Sequence, residues 1–231
     1  MLRFITVMIP LTFLSPLALA QAPPAASPQS KAQAMTAWSA EGLAPLTVQG
    51  LDLVYAQPGA TLGAYSKVLL GPLTVDFHRD WSRTSAPGSR APMSATDTQR
   101  VRDRLTKLVR EEFAKELAKG GYQVVDAAAE DVLEVDVSIV NLKVNAPDVG
   151  VGRTSNYAVS AGEMTLIAAL RDSASGDLLA RVYDRALARE YFRPQRITSV
   201  DNAAEARAAA RGWAQALRME LDRARQGIGK P

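Results

Sequence analysis

Arginine and tyrosine side chains recur on one face of a predicted hairpin in the second half of the chain. The candidate residues are Arg171, Arg181, Tyr183, Arg185 and Arg189. Arginines presented together bind carboxylates and phosphates through paired N–H donors. The pattern therefore predicts a patch for an anionic partner, such as a lipid head group, a lipopolysaccharide phosphate or an acidic protein surface. The alternative is an ordinary solvated sheet face beside the arginines of the last helix.

The single histidine of the chain lies in a short run of charged residues. Asp76, His78 and Asp80 alternate along one strand face, which would let the three side chains approach one metal ion. The run contains neither a second histidine nor a glutamate. We therefore expect a solvated or structurally paired histidine and no metal site.

Other catalytic patterns have little support in the sequence. The absence of cysteine excludes a disulfide framework, a cysteine-ligated zinc site and a cysteine nucleophile. The chain also lacks the G-x-S-x-G motif of many serine hydrolases. Glu134 and Asp136 have the spacing of a glycosidase carboxylate pair, but a solvent-facing strand accounts for them better. We predict that the protein is not an enzyme and that it has no cofactor.

The arginine patch requires a hairpin that holds its side chains on one face. Residues 163–172 and 177–189 alternate apolar and polar side chains, and the link between them suits a tight turn with Gly176 in the left-handed conformation. Asp184 falls on the apolar face, so we expect it near an end of the sheet. The other predicted core residues of the hairpin are Met164, Leu166, Ala168, Leu170, Ala180 and Val182.

Two long amphipathic helices are predicted. The first begins after Ser94 and ends at Gly120, with apolar residues at spacings of three and four. The second begins at Asp201 and runs to about Gly227. Its predicted buried row is Trp213, Leu217 and Leu221.

Four further strands are predicted, at residues 51–55, 65–77, 122–126 and 131–145. Pro72 interrupts the second of them and indicates a bulge or a sheet edge. In the fourth, the apolar phase changes near Ile139 and Val140, which indicates a bulge. The order of elements predicts an α+β fold. We expect a two-layer sandwich, with two main helices on a mixed or mostly antiparallel sheet of five to six strands.

The first twenty residues have the pattern of a secretory signal peptide. Arg3 precedes an apolar stretch, and Ala18-Leu19-Ala20 forms a small-x-small cleavage site before Gln21. The chain is therefore expected to be periplasmic or secreted after cleavage. Because no cysteine follows the cleavage site, we expect no lipid anchor.

Residues 21–45 are rich in alanine, proline, serine and glutamine, which predicts a flexible linker. Trp38 within it is expected either to dock on the domain or to contact a partner. The predicted organisation is a signal peptide over 1–20, this linker, and a single α+β domain over 46–231. A net charge of +3 is too small to indicate nucleic acid.

Four pieces of sequence carry a family resemblance. They read LDLVYAQPGATLGAYSKVLLGPLTVDF at 51–77, GGYQVVD at 120–126, VLEVDVSIVNL at 132–142 and DSASGDLLA at 172–180. In this order they resemble an uncharacterised bacterial envelope family, domain of unknown function 3313, whose members are commonly lipoproteins. The order of elements is also similar to that of curli-secretion lipoproteins and of lipoproteins that activate peptidoglycan synthases. Both groups are binding and assembly modules.

The resemblance implies a non-enzymatic binding or assembly module of the cell envelope, whose partner is a protein or an assembly of unstated identity. An alternative is a carrier of a small or anionic lipid-like ligand. That hypothesis predicts an apolar cavity between the sheet and the helices, with arginines at its mouth. A hydrolase is the third hypothesis, and it predicts His78 or a carboxylate pair inside a cleft. The oligomeric state is not predicted.

Overall fold

The computed structural model describes residues 30–79, 94–144, 156–160, 162–187, 190–197 and 199–227. The helices are α1 (Lys31–Ala40), α2 (Ala95–Lys119) and α3 (Ser199–Arg225). The strands are β1 (Ala44–Leu46), β2 (Leu53–Ala56), β3 (Lys67–Phe77), β4 (Gln123–Val125), β5 (Val132–Val144), β6 (Asn156–Ser160), β7 (Gly162–Asp172), β8 (Leu178–Leu187) and β9 (Glu190–Ile197). The predicted signal peptide and residues 21–29 lie outside the described residues.

Seven strands form one mixed sheet in the order β1-β2-β8-β7-β5-β3-β4. β3 runs parallel to β5 and β4, and every other neighbouring pair is antiparallel. The α+β class is therefore confirmed, but five to six strands was too few. The short edge strand β1 was missed, because three residues within a proline-rich stretch carry no measurable alternation.

A two-stranded ribbon extends from the main sheet. β6 pairs with β9, and the pairing of Ser160 with Glu190 continues the register in which Glu163 faces Leu187. The ribbon is thus an extension of the β7–β8 ladder that has no third strand beside it in the described part of the chain.

The two long helices pack on each other and on one face of the sheet. Ser94 caps α2 by accepting a hydrogen bond from the Asp97 backbone N–H at 3.1 Å, and Gly121 ends the helix with φ of +77°. α3 begins at Ser199, two residues earlier than predicted. Its predicted row is confirmed, with Leu217 only partly buried. The six predicted core residues of the hairpin also lie in the main core.

Both predicted bulges are present. The register of β3 against β5 shifts between Leu70 and Leu73, around Pro72. The register of β5 against β7 shifts after Val140, and Asn141 there has φ of +55°. The second bulge thus lies just beyond the predicted position. It lets Leu142 join the main core, whereas Val140 faces the opposite side of the sheet.

The prediction of a flexible linker over residues 21–45 is wrong for the second half of that range, because Lys31–Ala40 form α1. Trp38 is 1% exposed and meets the ring of Tyr55 edge to face, with 5.9 Å between ring centroids. Together with Ala34 it packs against the sheet face opposite α2 and α3. The two-layer expectation is therefore also wrong, since α1 adds a third layer over part of the sheet. Burial of one tryptophan explains why this alanine-rich segment is ordered.

Candidate functional site

An apolar cavity of about 340 Å³ lies between α3 and one edge of the sheet. Strands β2, β8, β7 and β5 form its floor, and α3 covers it. Strand β1 and residues 57–62 form its outer wall. Its volume is at the lower end of the range of about 300–1,000 Å³ that is usual for small-molecule sites.

Small side chains create this space. Ala168 and Ala180 stand on the floor, and Ala216 and Ala224 stand on the helix above it. Larger aliphatic side chains at these positions would fill the gap, because protein interiors otherwise pack as densely as organic crystals. The cavity is therefore encoded by alanines at facing positions of two elements.

The outer wall is a short turn that is held at both ends. The Gln57 backbone N–H donates to the Leu179 carbonyl at 2.8 Å, and Gly59 has φ of +81°. At the far end, a Cβ on Gly63 would lie 3.0 Å from the Ala224 carbonyl oxygen. The wall therefore sits close against the last turn of α3, and glycine permits this approach.

Polar groups in the lining are few. Among the described residues that line the cavity, they are Thr47, Gln57, Thr61, Glu220 and Arg223. Glu220 and Arg223 form an ion pair along α3, and their side chains are 22% and 40% exposed. These two charges reach solvent, as do outer-wall residues such as Leu46 and Pro58, and we call the two charges the mouth pair. By contrast, Trp213 at the other end of the cavity is buried.

A hydrogen bond fixes that buried end. The Trp213 indole Nε1 donates to Asp184 Oδ2 at 2.7 Å, and the Asp52 backbone N–H donates to Asp184 Oδ1 at 2.9 Å. Burial raises the pKa of Asp184, although these two donors act in the opposite direction. Asp184 lies next to the first residue pair of the β2–β8 ladder, Leu53 with Tyr183. The sequence marked Asp184 only as a break in the pattern and did not reveal its partner.

The predicted arginine patch lies on the opposite face of the sheet from the cavity. Arg181 pairs with Glu41 at 2.6 Å, Arg185 pairs with Glu163 at 2.8 Å, and Arg171 Nε lies 3.9 Å from Asp136.

Tyr183, the remaining described member of that patch, is 6% exposed and packs beneath α1, so it is not part of an open surface. Arg189 lies outside the described residues. Each of the three described arginines thus already lies near a carboxylate, and none of them lines the cavity. Anion binding by this patch stays a prediction.

The residues that the sequence suggested for metal binding or acid–base chemistry make contacts within the sheet. The His78 backbone N–H donates to the Leu142 carbonyl at 3.0 Å, and Asp80 lies outside the described residues. Within the described ranges, no group of three or more histidine, aspartate or glutamate side chains is placed to hold a metal ion. Asp136, one of the two strand carboxylates, takes part in the pairing with Arg171.

Sequence periodicity also missed a buried ion cluster between α2 and α3. Glu112 is almost fully buried, and its carboxylate meets Lys115 at 3.3 Å, Arg207 at 3.4 Å and Arg211 at 3.3 Å. Burial by itself would raise the pKa of Glu112, but the hydrogen bonds from Arg211 and Lys115 outweigh it and lower that pKa. The cluster joins the two helices and lies away from the cavity lining.

The protein is thus an α+β domain that has helices on both faces of its sheet and an apolar cavity at one edge. The chain belongs to the family described as Protein of unknown function (DUF3313), whose model matches residues 39–217. This match confirms the resemblance drawn from the four sequence pieces. No curated protein sequence matches the chain.

Solved structures give distant likenesses. Protein XCC0632 from Xanthomonas campestris, of family DUF330, is 15% identical with a TM-score of 0.38, over 80% of this chain and 97% of that one. PelC from Paraburkholderia phytofirmans, a dodecamer, is 10% identical with a TM-score of 0.37, over 71% and 96%. A minor lipoprotein from Acinetobacter baumannii is 12% identical with a TM-score of 0.31, over 68% and 92%. Likenesses at this level assign no function to this chain.

No helix among the described residues is both long and apolar enough to cross a membrane.

Proposed function

We propose that the protein is a non-enzymatic binding module of the cell envelope and that the cavity under α3 is its binding site for an apolar ligand. The observation that carries this proposal is the cavity itself, which combines a lining of mostly apolar side chains with an opening marked by two charges. Such a pocket binds by removing apolar surface from water, and its few polar groups orient the ligand.

Of the hypotheses that the sequence left open, the cavity favours the carrier. That hypothesis expected an apolar space between sheet and helices with arginines at its mouth, and one partly exposed arginine, Arg223, lines the cavity. The arginine is not one of the predicted set, which lies on the other sheet face. The protein-partner hypothesis stays a prediction, as does periplasmic location, which rests on the signal-peptide pattern of residues 1–20.

The cavity also has the rigidity that a binding site needs. Its buried end is fixed by the hydrogen bond between Trp213 and Asp184, and its outer wall is held by the hydrogen bond from the Gln57 backbone N–H to the Leu179 carbonyl. Because both ends are held before a ligand arrives, little ordering free energy is lost on binding.

Titration of the purified protein with the fluorescent apolar probe phenylnaphthylamine tests the proposal. We expect saturable binding, weakened about ten-fold or more by Ala168→Leu or Ala216→Leu, since each adds bulk inside the cavity. Ala209→Leu is the matched control, because Ala209 is partly buried on α3 outside the lining. Equal binding by all four proteins, each shown by circular dichroism to be folded, would contradict the proposal.

A further inference from the structure

We propose that the ligand is a lipid-like molecule with one unbranched acyl chain, an inference that rests on the proposed function. The end of its chain lies against Trp213, and its acidic head group lies at Arg223.

The dimensions of the cavity indicate one chain. Its α3 lining runs from Trp213 to Ala224, which are eleven residues and therefore about 16 Å apart along the helix axis. The volume of about 340 Å³ is at the lower end of the range for small-molecule sites. A cavity of this size favours a ligand with one chain over a lipid with two.

Burial along α3 gives the direction of the chain. Trp213 and Ala216 are buried, Leu217 is partly buried, and the mouth pair reaches solvent. A hydrocarbon end is most stable where water is excluded, and a polar head group keeps its hydration at the opening. The methyl end therefore belongs at Trp213.

Arg223 supplies the recognition of an acidic head group. It is the one cation among the described lining residues, and its described hydrogen bond to Glu220 involves a single nitrogen, Nη1. A guanidinium has five N–H donors in a fork, so a second carboxylate or a phosphate can bind beside Glu220. Glu220 holds Arg223 at the mouth but also repels an anion, so its loss is expected to strengthen binding.

Fluorescence quenching by brominated chains tests the direction of binding. The chain has three tryptophans, and replacing Trp38 and Trp81 by Phe leaves the indole of Trp213 as the reporter. We expect dodecanoate brominated at its last carbon to quench that fluorescence severalfold more than dodecanoate brominated beside the carboxylate. Equal quenching, or the reverse order, would overturn the assignment.

Calorimetric titration tests the head group. Arg223→Gln is expected to weaken dodecanoate binding about five-fold and Glu220→Gln to strengthen it, with dodecanol unaffected by either. The control is Lys107→Gln, which removes one positive charge from an exposed ion pair with Glu111 on α2. Unchanged affinity in Arg223→Gln would overturn the assigned head group. Lysophospholipid and fatty acid, titrated separately, distinguish a phosphate from a carboxylate source.

The outcomes also separate this inference from the proposed function. Binding of phenylnaphthylamine without binding of dodecanoate would overturn the acyl-chain inference and leave an apolar binding site. Tighter binding of a two-chain phospholipid than of its single-chain counterpart would overturn the single-chain assignment. Binding of none of these molecules would overturn both proposals.

Discussion

One buried carboxylate, Glu112, and one half-buried carboxylate, Asp184, show how a side chain can depend on donors from distant elements. Asp184 on β8 receives its hydrogen bonds from α3 and from the residue before β2, and Glu112 on α2 is surrounded by cations, two of which belong to α3. A buried charge is tolerated only when such donors are present. The two carboxyl pKa values therefore shift in opposite directions, upward where burial dominates and downward where cations dominate.

Replacing Glu112 by Gln is expected to lower the free energy of unfolding at pH 7 by about 1–2 kcal/mol. This is less than the usual cost of breaking a buried ion pair, because Arg207 and Arg211 are half exposed. The pKa of Glu112 is lower in the folded state than the ordinary value of 4.5. Its stabilising contribution is thus complete above that value and is lost as the pH falls through the folded pKa.

Urea unfolding at pH 7 and at pH 3 measures this difference, which should shrink at the lower pH. Glu111→Gln is the control. Glu111 is the neighbour of Glu112 in the sequence, but it is exposed and makes only a long contact of 3.9 Å with Lys107. A Glu112→Gln difference that is equal at both pH values would contradict the argument.

Two tyrosine hydroxyls are held by carboxylates. Burial, followed by the hydrogen bond to Asp172, raises the pKa of Tyr65 to about 12, and burial with the hydrogen bond to Asp222 raises that of Tyr122 to about 12. The stabilisation from these tyrosines is complete below pH 10 and is lost as the pH rises toward 12. Ultraviolet titration should show a late-ionising phase near pH 12, and Tyr122→Phe should remove about half of its amplitude, whereas an unchanged phase would contradict the assignment.

At the level of elements, α1 depends on very few contacts. Its buried residues are Ala34 and Trp38, and its end is tied to β8 by the pairing of Glu41 with Arg181. A ten-residue helix is too short to be stable alone in water, so its order comes from packing of this kind.

Trp38→Ala is therefore expected to release α1 and to lower the free energy of unfolding by about 3 kcal/mol. The control is Met35→Ala on the same helix, because Met35 is 43% exposed and its loss should change little. Urea unfolding measures both values, and limited proteolysis near α1 reports its release. Equal stability of the two variants would show that Trp38 does not hold the helix.

Glycines at a helix end and inside a helix are expected to respond oppositely to alanine. Gly121 has φ of +77° after α2, so Gly121→Ala should cost about 1 kcal/mol through backbone strain. Gly212 lies inside α3 with nothing within 4 Å of an added Cβ, so Gly212→Ala should stabilise by about 0.8 kcal/mol. Thermal unfolding of both variants checks the signs, and a change of the same sign in both would contradict the argument.

The elements that were predicted correctly are long and periodic. α2 carries Leu105, Val109, Phe113 and Leu117 on one stripe, and the main-core residues of β7 recur at every second position from Met164 to Leu170. Patterns of that length outweigh local exceptions. α1 was missed because two buried residues in ten make no stripe, and β1 because a three-residue strand makes no alternation.

At the level of the whole molecule, the cavity could not be predicted residue by residue. Its lining comes from five strands of the sheet, the loops on either side of β2, Phe113 on α2, and α3, which only the tertiary fold brings together. An alanine in a strand or helix does not indicate whether a side chain of the element packed against it fills the space above it. The sequence predicted the sheet face and the helix row that enclose the cavity, but not the gap between them.

Stability against local opening is expected to differ across the same sheet. The ribbon of β6 and β9 has hydrogen bonds to one partner strand only in the described structure, whereas β5 and β7 are paired on both sides. Amide hydrogen exchange followed by mass spectrometry should therefore be much faster in 156–160 and 190–197 than in β5 and β7. Equal protection of both regions would show that another part of the chain or a second molecule covers the ribbon.

Gly162 marks the point where that difference begins. It is the first residue of β7, and a Cβ there would lie 2.1 Å from the Lys143 carbonyl oxygen on β5. The backbones of the two strands can therefore approach at this junction only because the side chain is absent. Beyond this glycine, from Glu163 onward, β7 is paired with both β5 and β8, so fraying that starts in the ribbon is expected to stop there. The junction is therefore expected to separate a region that opens readily from one that opens only together with the rest of the sheet.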